Sequence, residues 1–290
     1  MSQLHNVLGI SRQSFYQKVQ RMRLQQKKSQ SALPQVLDVR KNHPHMSARE
    51  MYFKIRPEGL GRDKFEQFCF REGFRVRKKK NYRKTTDSRG VSRFENLIKD
   101  RELTGVNQVF VSDITYYDMG EQTYYLTFIM DLYNREIVGR SVSKNLRAEN
   151  TTIPALKDAQ RRIGKQALRG SIIHSDGGGQ YYSKNFREPV KLLGMRSSMT
   201  NKDVYENAHA ERLNGTIKND YLYPYAPQTY QELQKKLKKA VYMYNYQRPH
   251  KALNRMTPVE YRRTSGDHQP EQKLYVESEL KIMSNSVNVF

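Results

Sequence analysis

NQVFVSDITYYDMGEQTYYLTFIMDLYNREIVGRSVS, residues 107–143, is the stretch that decides the fold. Its first apolar run carries Asp113, Gly120 allows a turn, TYYLTFIMDLY forms a second strand and REIVGRSVS a third. Successive strands joined by short connections imply an antiparallel meander. Residues 148–163 then place Ile153, Leu156, Ala159 and Ile163 on one helical face, and the chain returns as the strand SIIHSD. A helix between strands implies a crossover and a strand added in parallel. The expected fold class is α/β with a mixed sheet.

SIIHSDGGGQYYSKNF, residues 171–186, ends its apolar run at Asp176 and follows it with three glycines. Downstream, NAHAERLNGTIKNDYL reads as a helix with an apolar stripe of Ala210, Leu213, Ile217 and Tyr221. Asn207, Glu211, Asn214 and Lys218 form a neighbouring polar stripe, an arrangement expected to hold Glu211 at the edge of the core, facing outward over whatever the helix packs against. Asp113, Asp176 and Glu211 are thus three carboxylates on regular elements. Each has an ordinary reading: a strand-end residue satisfied by backbone donors, a turn former and a solvated helix position. GGGQYY also lacks the lysine and hydroxyl residue of a nucleotide-binding glycine loop. If the three converge, their mutual repulsion would keep protons on unless a cation were present. Magnesium suits such hard oxygen ligands. A pair of ions roughly 3.5–4 Å apart can activate an attacking oxygen and stabilise a leaving one at phosphorus. Gly177 to Gly179 would let a phosphate backbone approach Asp176 unobstructed.

Charge points to the same class of partner. The 290-residue chain carries 52 lysines and arginines against 29 acidic residues, a formal charge of +23, so polyanions attract it and nucleic acid is the natural partner. It has no bilayer-length apolar run, no broad-faced basic amphipathic helix and no signal peptide, which reads as an intracellular, cytoplasmic chain without a membrane role. Cys69, the single cysteine, excludes an internal disulfide and a cysteine-rich zinc site, and reads as a core side chain.

The first third reads as small all-α modules. Residues 1–28 suit a helix-turn-helix, with a turn at Gly9, a cap at Ser11, and Phe15, Val19 and Met22 at helical spacing. A second helical DNA-binding module covers 31–74, with a capping box at Ser47 and Glu50 and with Phe65, Phe68 and Cys69 in its last helix. His43 and His45 are expected on a solvated loop. Residues 75–104 form a basic linker suited to tracking phosphates. The DNA-contact candidates of this third are Arg12, Lys78, Lys79, Lys80, Arg83 and Lys84.

In the last third, Thr229 and Glu232 cap a long helix lined by Leu233, Leu237, Val241 and Tyr244, with KKLKK on its opposite face. Tyr246, Arg248 and His250 follow, with a stacking or phosphate role set against packing on the core. Thr257, Pro258 and Glu260 begin a further short helix. Residues 265–290 form a patternless tail.

VSDITYY, MDLYNREIVGRSVS, IIHSDGGGQYYS, SSMT with ENAHAERLNGTIK, and YNYQRPHKALNRMTPVEY together resemble, in order, the blocks of bacterial insertion-sequence-three family transposases, specifically the second-frame OrfB subunit with its retroviral-integrase-like core. The resemblance covers residues 106–262. It implies an RNase H-like core over 105–264, with a five-stranded sheet flanked by helices. It also implies a DDE triad of Asp113, Asp176 and Glu211; the 35 positions between the last two suit the family. Further implications are two Mg2+ ions held by that triad, with Mn2+ able to substitute, and cleavage at the 3′ ends of the element. Strand transfer to a circular intermediate and then integration would follow. Implied partners are the terminal inverted repeats and target DNA, a homodimer or higher oligomer on DNA, and a first-frame OrfA protein, separate or fused. Lys218 matches a position that contacts end DNA in similar integrases; the alternative is an exposed, salt-bridging lysine. Gly178 stands in the DNA-facing loop where the family usually has a basic residue, Glu206 replaces an aspartate, and Pro189 is expected to delay or kink the helix after Asp176. Two other classes stay open at this point: a DNA-binding accessory protein or repressor with an inactive core, and a hydrolytic nuclease of the same fold.

Overall fold

The protein is described here by a computed structural model covering residues 9–76, 94–200 and 207–264. The start of the first helical module, the candidates Lys78, Lys79, Lys80, Arg83 and Lys84, Glu206, and the tail lie outside the described residues. The chain divides into two compact units, residues 1–81 with 219–226, and residues 82–218 with 227–290.

In the first unit, α1 (Arg12–Ser31) begins where the sequence indicates, because the Ser11 hydroxyl accepts a 3.2 Å hydrogen bond from the Ser14 amide. It contains no acidic residue and is exposed along most of its length; Met22 is 64% exposed. Three shorter helices follow: α2 (Leu33–Asn42), α3 (Ala48–Ile55) and α4 (Arg62–Arg71). Their apolar faces close one core around Val36, Met46, Met51, Phe65, Phe68 and Cys69. Burial pushes the Cys69 thiol up to about 11, as expected of a core side chain. His43 corrects the sequence reading. It is fully buried, with Nδ1 2.9 Å from the Tyr221 hydroxyl, and His45 Nδ1 donates to the Asn219 carbonyl at 2.9 Å. Residues 219–226 thus belong to this unit's packing, although about 175 positions of chain separate them from the histidines. Local sequence carries no signal of that pairing.

The second unit is built on five strands: β1 (Val109–Met119), β2 (Gln122–Asp131), β3 (Ile137–Ser143), β4 (Ile172–Ser175) and β5 (Arg196–Met199). Their order is β3-β2-β1-β4-β5, with the first two pairings antiparallel and the last two parallel. This is the mixed sheet that the meander and crossover imply, and its five strands are those of the RNase H-like core that the resemblance implies. Gly120 makes the β1–β2 turn with φ +60. The crossover helix α5 (Thr152–Leu168) packs on β3 at Gly139, where an added Cβ would lie 2.4 Å from the Ala155 carbonyl oxygen.

After β4 come a single turn, α6 (Gly179–Tyr182), and then α7 (Lys184–Leu192). α7 is not delayed by Pro189, because Ser183 caps it and proline sits beyond the first turn; the proline forgoes only the bond to the Asn185 carbonyl. α5 and α7 cover one face of the sheet through Phe110, Ile129, Val138, Leu156, Ile173 and Phe186. The predicted helix after residue 207 is α8 (Ala208–Thr216), which changes to a π-helix over Ile217–Leu222. α9 (Tyr230–Gln247) packs on the sheet's other face, where Asn245 pairs with both backbone groups of Ile137 at 2.9 Å. α10 (Pro258–Thr264) starts with a reciprocal capping box between Thr257 and Glu260.

Candidate active site

β1 and β4 run side by side in parallel, and Ser112 pairs with Ser175. An aspartate follows each of these serines, so the register brings Asp113, still within β1, and Asp176, just past the end of β4, to the same level. Asp176 leaves the sheet at once, its Oδ1 accepting from the Gly178 amide at 3.1 Å. That bond forms a tight turn, and a Cβ on Gly178 would stand 3.0 Å from Asp176 Oδ1. Glycine is therefore suited to this position for local steric reasons as well as for access.

Glu211 lies in the first turn of α8, and α8 runs along β1. Asn207 Nδ2 donates to the Ser112 carbonyl at 3.3 Å, Asn214 Nδ2 to Asp113 Oδ2 at 2.7 Å, and Lys218 Nζ to Thr115 Oγ1 at 2.7 Å and the Tyr116 carbonyl at 3.2 Å. The polar stripe identified in the sequence is real, but three of its four members turn toward β1 and fasten the helix to the strand. Outward orientation holds for Glu211. Lys218 is half-buried on Thr115 and Tyr116, so neither an exposed salt-bridging lysine nor a free DNA-facing one describes it.

The electrostatics record crowding of like charge. Burial and then the neighbouring Asp176 push the Asp113 carboxyl up to about 8, with Glu211 adding to the effect, against a 2.9 Å bond from the Ile114 amide. Burial likewise raises Asp176, and burial with Asp176 raises Glu211. Burial lowers Lys218, while Asp113 and Asp118 hold it up. Among the described residues, no three acidic, imidazole or thiol side chains stand close enough to grip an ion as they are. Asp113 takes bonds from the Ile114 amide and Asn214, and Asp176 from the Gly178 amide. An oxygen-only donor set whose members raise one another's pKa fits a hard divalent cation.

Other candidates are distributed more widely. Arg12 is exposed at the start of α1, its guanidinium 5.8 Å from the Tyr16 ring centroid. Tyr246 stacks on Tyr242 with centroids 4.9 Å apart, Arg248 is 8% exposed, and His250 packs edge-on against Tyr244 at 4.6 Å. For Arg248 and His250 the structure displays packing. A groove of about 810 Å³ runs beside the glycine loop, lined by residues 145–150 together with Gly179, Gln180 and Ser183. Sequence reasoning missed the bond from Asn214 to Asp113 and the buried contact between Tyr181 and Ser112. The spacing of Asn214 from Glu211 was the available signal for the first.

The integrase core domain family matches residues 104–203 and 194–258. The insertion element IS600 uncharacterized 31 kDa protein of Shigella sonnei is 31% identical over 268 residues, covering 88% of this chain and 96% of its own. The chain belongs to the insertion-sequence-three family of DDE transposases. Transposase InsF for insertion sequence IS3A of Escherichia coli is 32% identical to this transposase over 151 residues, 51% of each chain. Among solved structures, the HTLV-2 integrase catalytic core domain in complex with magnesium is 22% identical, covers 55% of this transposase and 97% of its own chain, and gives a TM-score of 0.44. No described helix of the transposase is long and apolar enough to cross a membrane.

Proposed function

We propose that the transposase cleaves DNA at the 3′ ends of its insertion sequence and transfers the resulting strands, first joining one end to the other and later integrating the circular product. Asp113, Asp176 and Glu211 are the residues that would hold two Mg2+ ions, or Mn2+ in their place. Bound there, the metal supplies a hard Lewis acid for an in-line exchange at phosphorus. Water attacks first and frees a 3′-hydroxyl; that hydroxyl attacks a second phosphodiester, one P–O bond forming as another breaks. The protein's part is positional. Asn214 and the Ile114 amide aim the Asp113 carboxylate, the Gly178 amide aims Asp176, and the fastening of α8 along β1 carries Glu211 to them. The observation that carries this reading is the β1–β4 register that sets Asp113 beside Asp176 in a chain of the transposase family.

The net charge of +23 supports DNA as the partner, with the terminal repeats and target as its two forms. Arg12, the lysines and arginines of 78–84, Gly178 and Tyr246 are the proposed contacts, while Lys218, Arg248 and His250 are held by β1 or by packing and are left out of the DNA-facing set. Two ends must be held together for strand transfer, so the working species on DNA is at least a dimer. A first-frame OrfA protein is a further proposed partner, and the bacterial cytoplasm the proposed compartment. The domain assignment goes with this reading: helical modules at 1–28 and 31–74, a linker at 75–104, the core at 105–264 and a tail.

The test is to incubate purified protein with magnesium and a supercoiled plasmid carrying both ends of the element. End-to-end joined circles, identified by gel and sequencing, are the expected product. Free linear ends alone would assign a hydrolytic nuclease, and an inert protein that still binds the ends would assign an accessory factor.

A further inference from the structure

Ser112 stands one residue before Asp113 and is 1% exposed, yet it meets every segment that carries a triad member. Its Oγ donates to the Phe128 carbonyl of β2 at 2.9 Å. A serine hydroxyl has one proton to give, so the Tyr181 hydroxyl, 2.9 Å away, donates to Ser112 rather than accepting from it. Tyr181 belongs to α6, just past Asp176 and its three glycines. The Ser112 carbonyl accepts from Asn207, the residue that precedes the helix of Glu211. Asn207 Oδ1 is buried with no hydrogen-bond partner among the described residues, so the bond to Ser112 is what orients this amide among them.

We propose that Ser112, with Tyr181 and Asn207, forms a positioning node behind the triad, which sets the spacing of Asp113, Asp176 and Glu211 before any ion arrives. Alternation along β1 sends the Ser112 side chain to the face covered by α5 and α7, where Phe110 and Tyr181 share one core cluster, and sends Asp113 to the opposite face. Tyr181 therefore grips the strand from one side while Asn207 and Asn214 grip it from the other. The grip matters most for Asp176. Gly177, Gly178 and Gly179 have no side chains to pack and the largest backbone freedom to lose, so the loop needs a fixed point beyond them. Tyr181 supplies it twice over, with its ring edge-on to Phe186 at 5.5 Å and its hydroxyl on Ser112.

The inference rests on the triad being a metal site, and the experiment separates the two claims. Mn2+ is titrated calorimetrically into the full chain and into Y181F, S112A and the double variant, with metal-free thermal midpoints measured alongside. Wild type binds Mn2+. Each single change weakens binding about tenfold, the scale of losing a partner that orients a ligand. The double variant is no weaker than S112A alone, because S112A already removes the bond that Y181F removes. Y181F keeps its ring on Phe186, so its midpoint falls by no more than about 4 °C, the scale of a lost hydrogen bond in a domain of this size. Wild-type affinity in Y181F, or losses that multiply in the double variant, would overturn the node. A drop in midpoint without a change in Mn2+ affinity would overturn it too, since that is the mark of a purely structural bond. Should the wild-type chain take up no Mn2+, the metal reading itself falls and the node falls with it. N207A is the second route if S112A fails to fold; it cuts the other arm and is expected to give the same tenfold weakening.

Discussion

Asn214 Nδ2 lies 2.7 Å from Asp113 Oδ2, so the helix that carries Glu211 is bonded directly to the carboxyl group of another member of the proposed triad. With Asp113 pushed up to about 8, that bond joins a neutral amide to a carboxyl poised between its two forms near neutral pH. Removing it in N214A leaves Asp113 free to rotate and is expected to cut end-joining about 10- to 100-fold, the range for groups that orient a metal ligand. N214D adds an acid to a crowded site and should do worse. Single-turnover joining assays compare the two; equal activity in both variants and wild type would remove Asn214 from the machinery.

The triad itself is tested by changes that alter charge and little else. D113N, D176N and E211Q each keep the shape of the side chain and remove one anionic oxygen donor. Each is expected to lower joining by about a thousandfold or more while end-DNA binding persists, because barrier height and phosphate contacts are separate terms. Gel-shift and joining assays on the same preparations give both readouts. A variant that still joins ends at the wild-type rate takes its residue out of the triad.

How much of this was legible beforehand follows from the range of each signal. The meander, the crossover and the parallel return of β4 are written in apolar periods of fewer than 20 residues, and all appear where expected. Asp113, Asp176 and Glu211 were visible as carboxylates on regular elements. What stayed hidden depends on pairing across the chain. The inward turn of Asn214 and Lys218 follows from the docking of α8 on β1, more than 100 positions away, and the burial of His43 depends on Tyr221. The π-helix over Ile217–Leu222 also has no marker in a sequence whose apolar spacing reads as an ordinary helix.

Asp113 also predicts a proton count. Its carboxyl is raised to about 8 by burial and by Asp176, so at pH 7 it is mostly protonated in the metal-free protein, whereas a metal ligand must be the carboxylate. Divalent ion binding at pH 7 should release close to one proton, and at pH 9.5 almost none. Calorimetry in buffers of different ionisation enthalpy measures this directly. Release that stays constant from pH 7 to 9.5 would mean that Asp113 is not the group losing the proton.

Gly139 gives a stability prediction independent of the chemistry. An added Cβ would sit 2.4 Å from the Ala155 carbonyl oxygen and 3.0 Å from Ala159 Cβ, both on the backbone-close face of α5. Neither atom is the end of a flexible side chain, so the helix must shift away from β3. G139A is expected to destabilise the core by about 1–3 kcal/mol, the usual cost of overpacking. Denaturant titration reads it as a lower midpoint at an unchanged slope.

His250 gives the protein an acid sensitivity whose sign follows from its surroundings. Burial, then the Arg248 and Arg135 cations, lower its imidazole from 6.5 to about 3. The folded chain therefore holds it neutral while the unfolded chain takes a proton near its ordinary value. Its contribution to stability is fully present above about pH 6.5 and drains as pH falls toward 3, at about 1.4 kcal/mol per pH unit. Urea titrations of the metal-free protein at pH 7, 6 and 5 are expected to show this slope added to that of the other groups. H250Q, which retains a neutral polar side chain beside Tyr244, should lose that part of the pH dependence. A variant with the same acid slope as wild type would mean that His250 is protonated in the folded state, and that the cations around it are offset by a charge it shares.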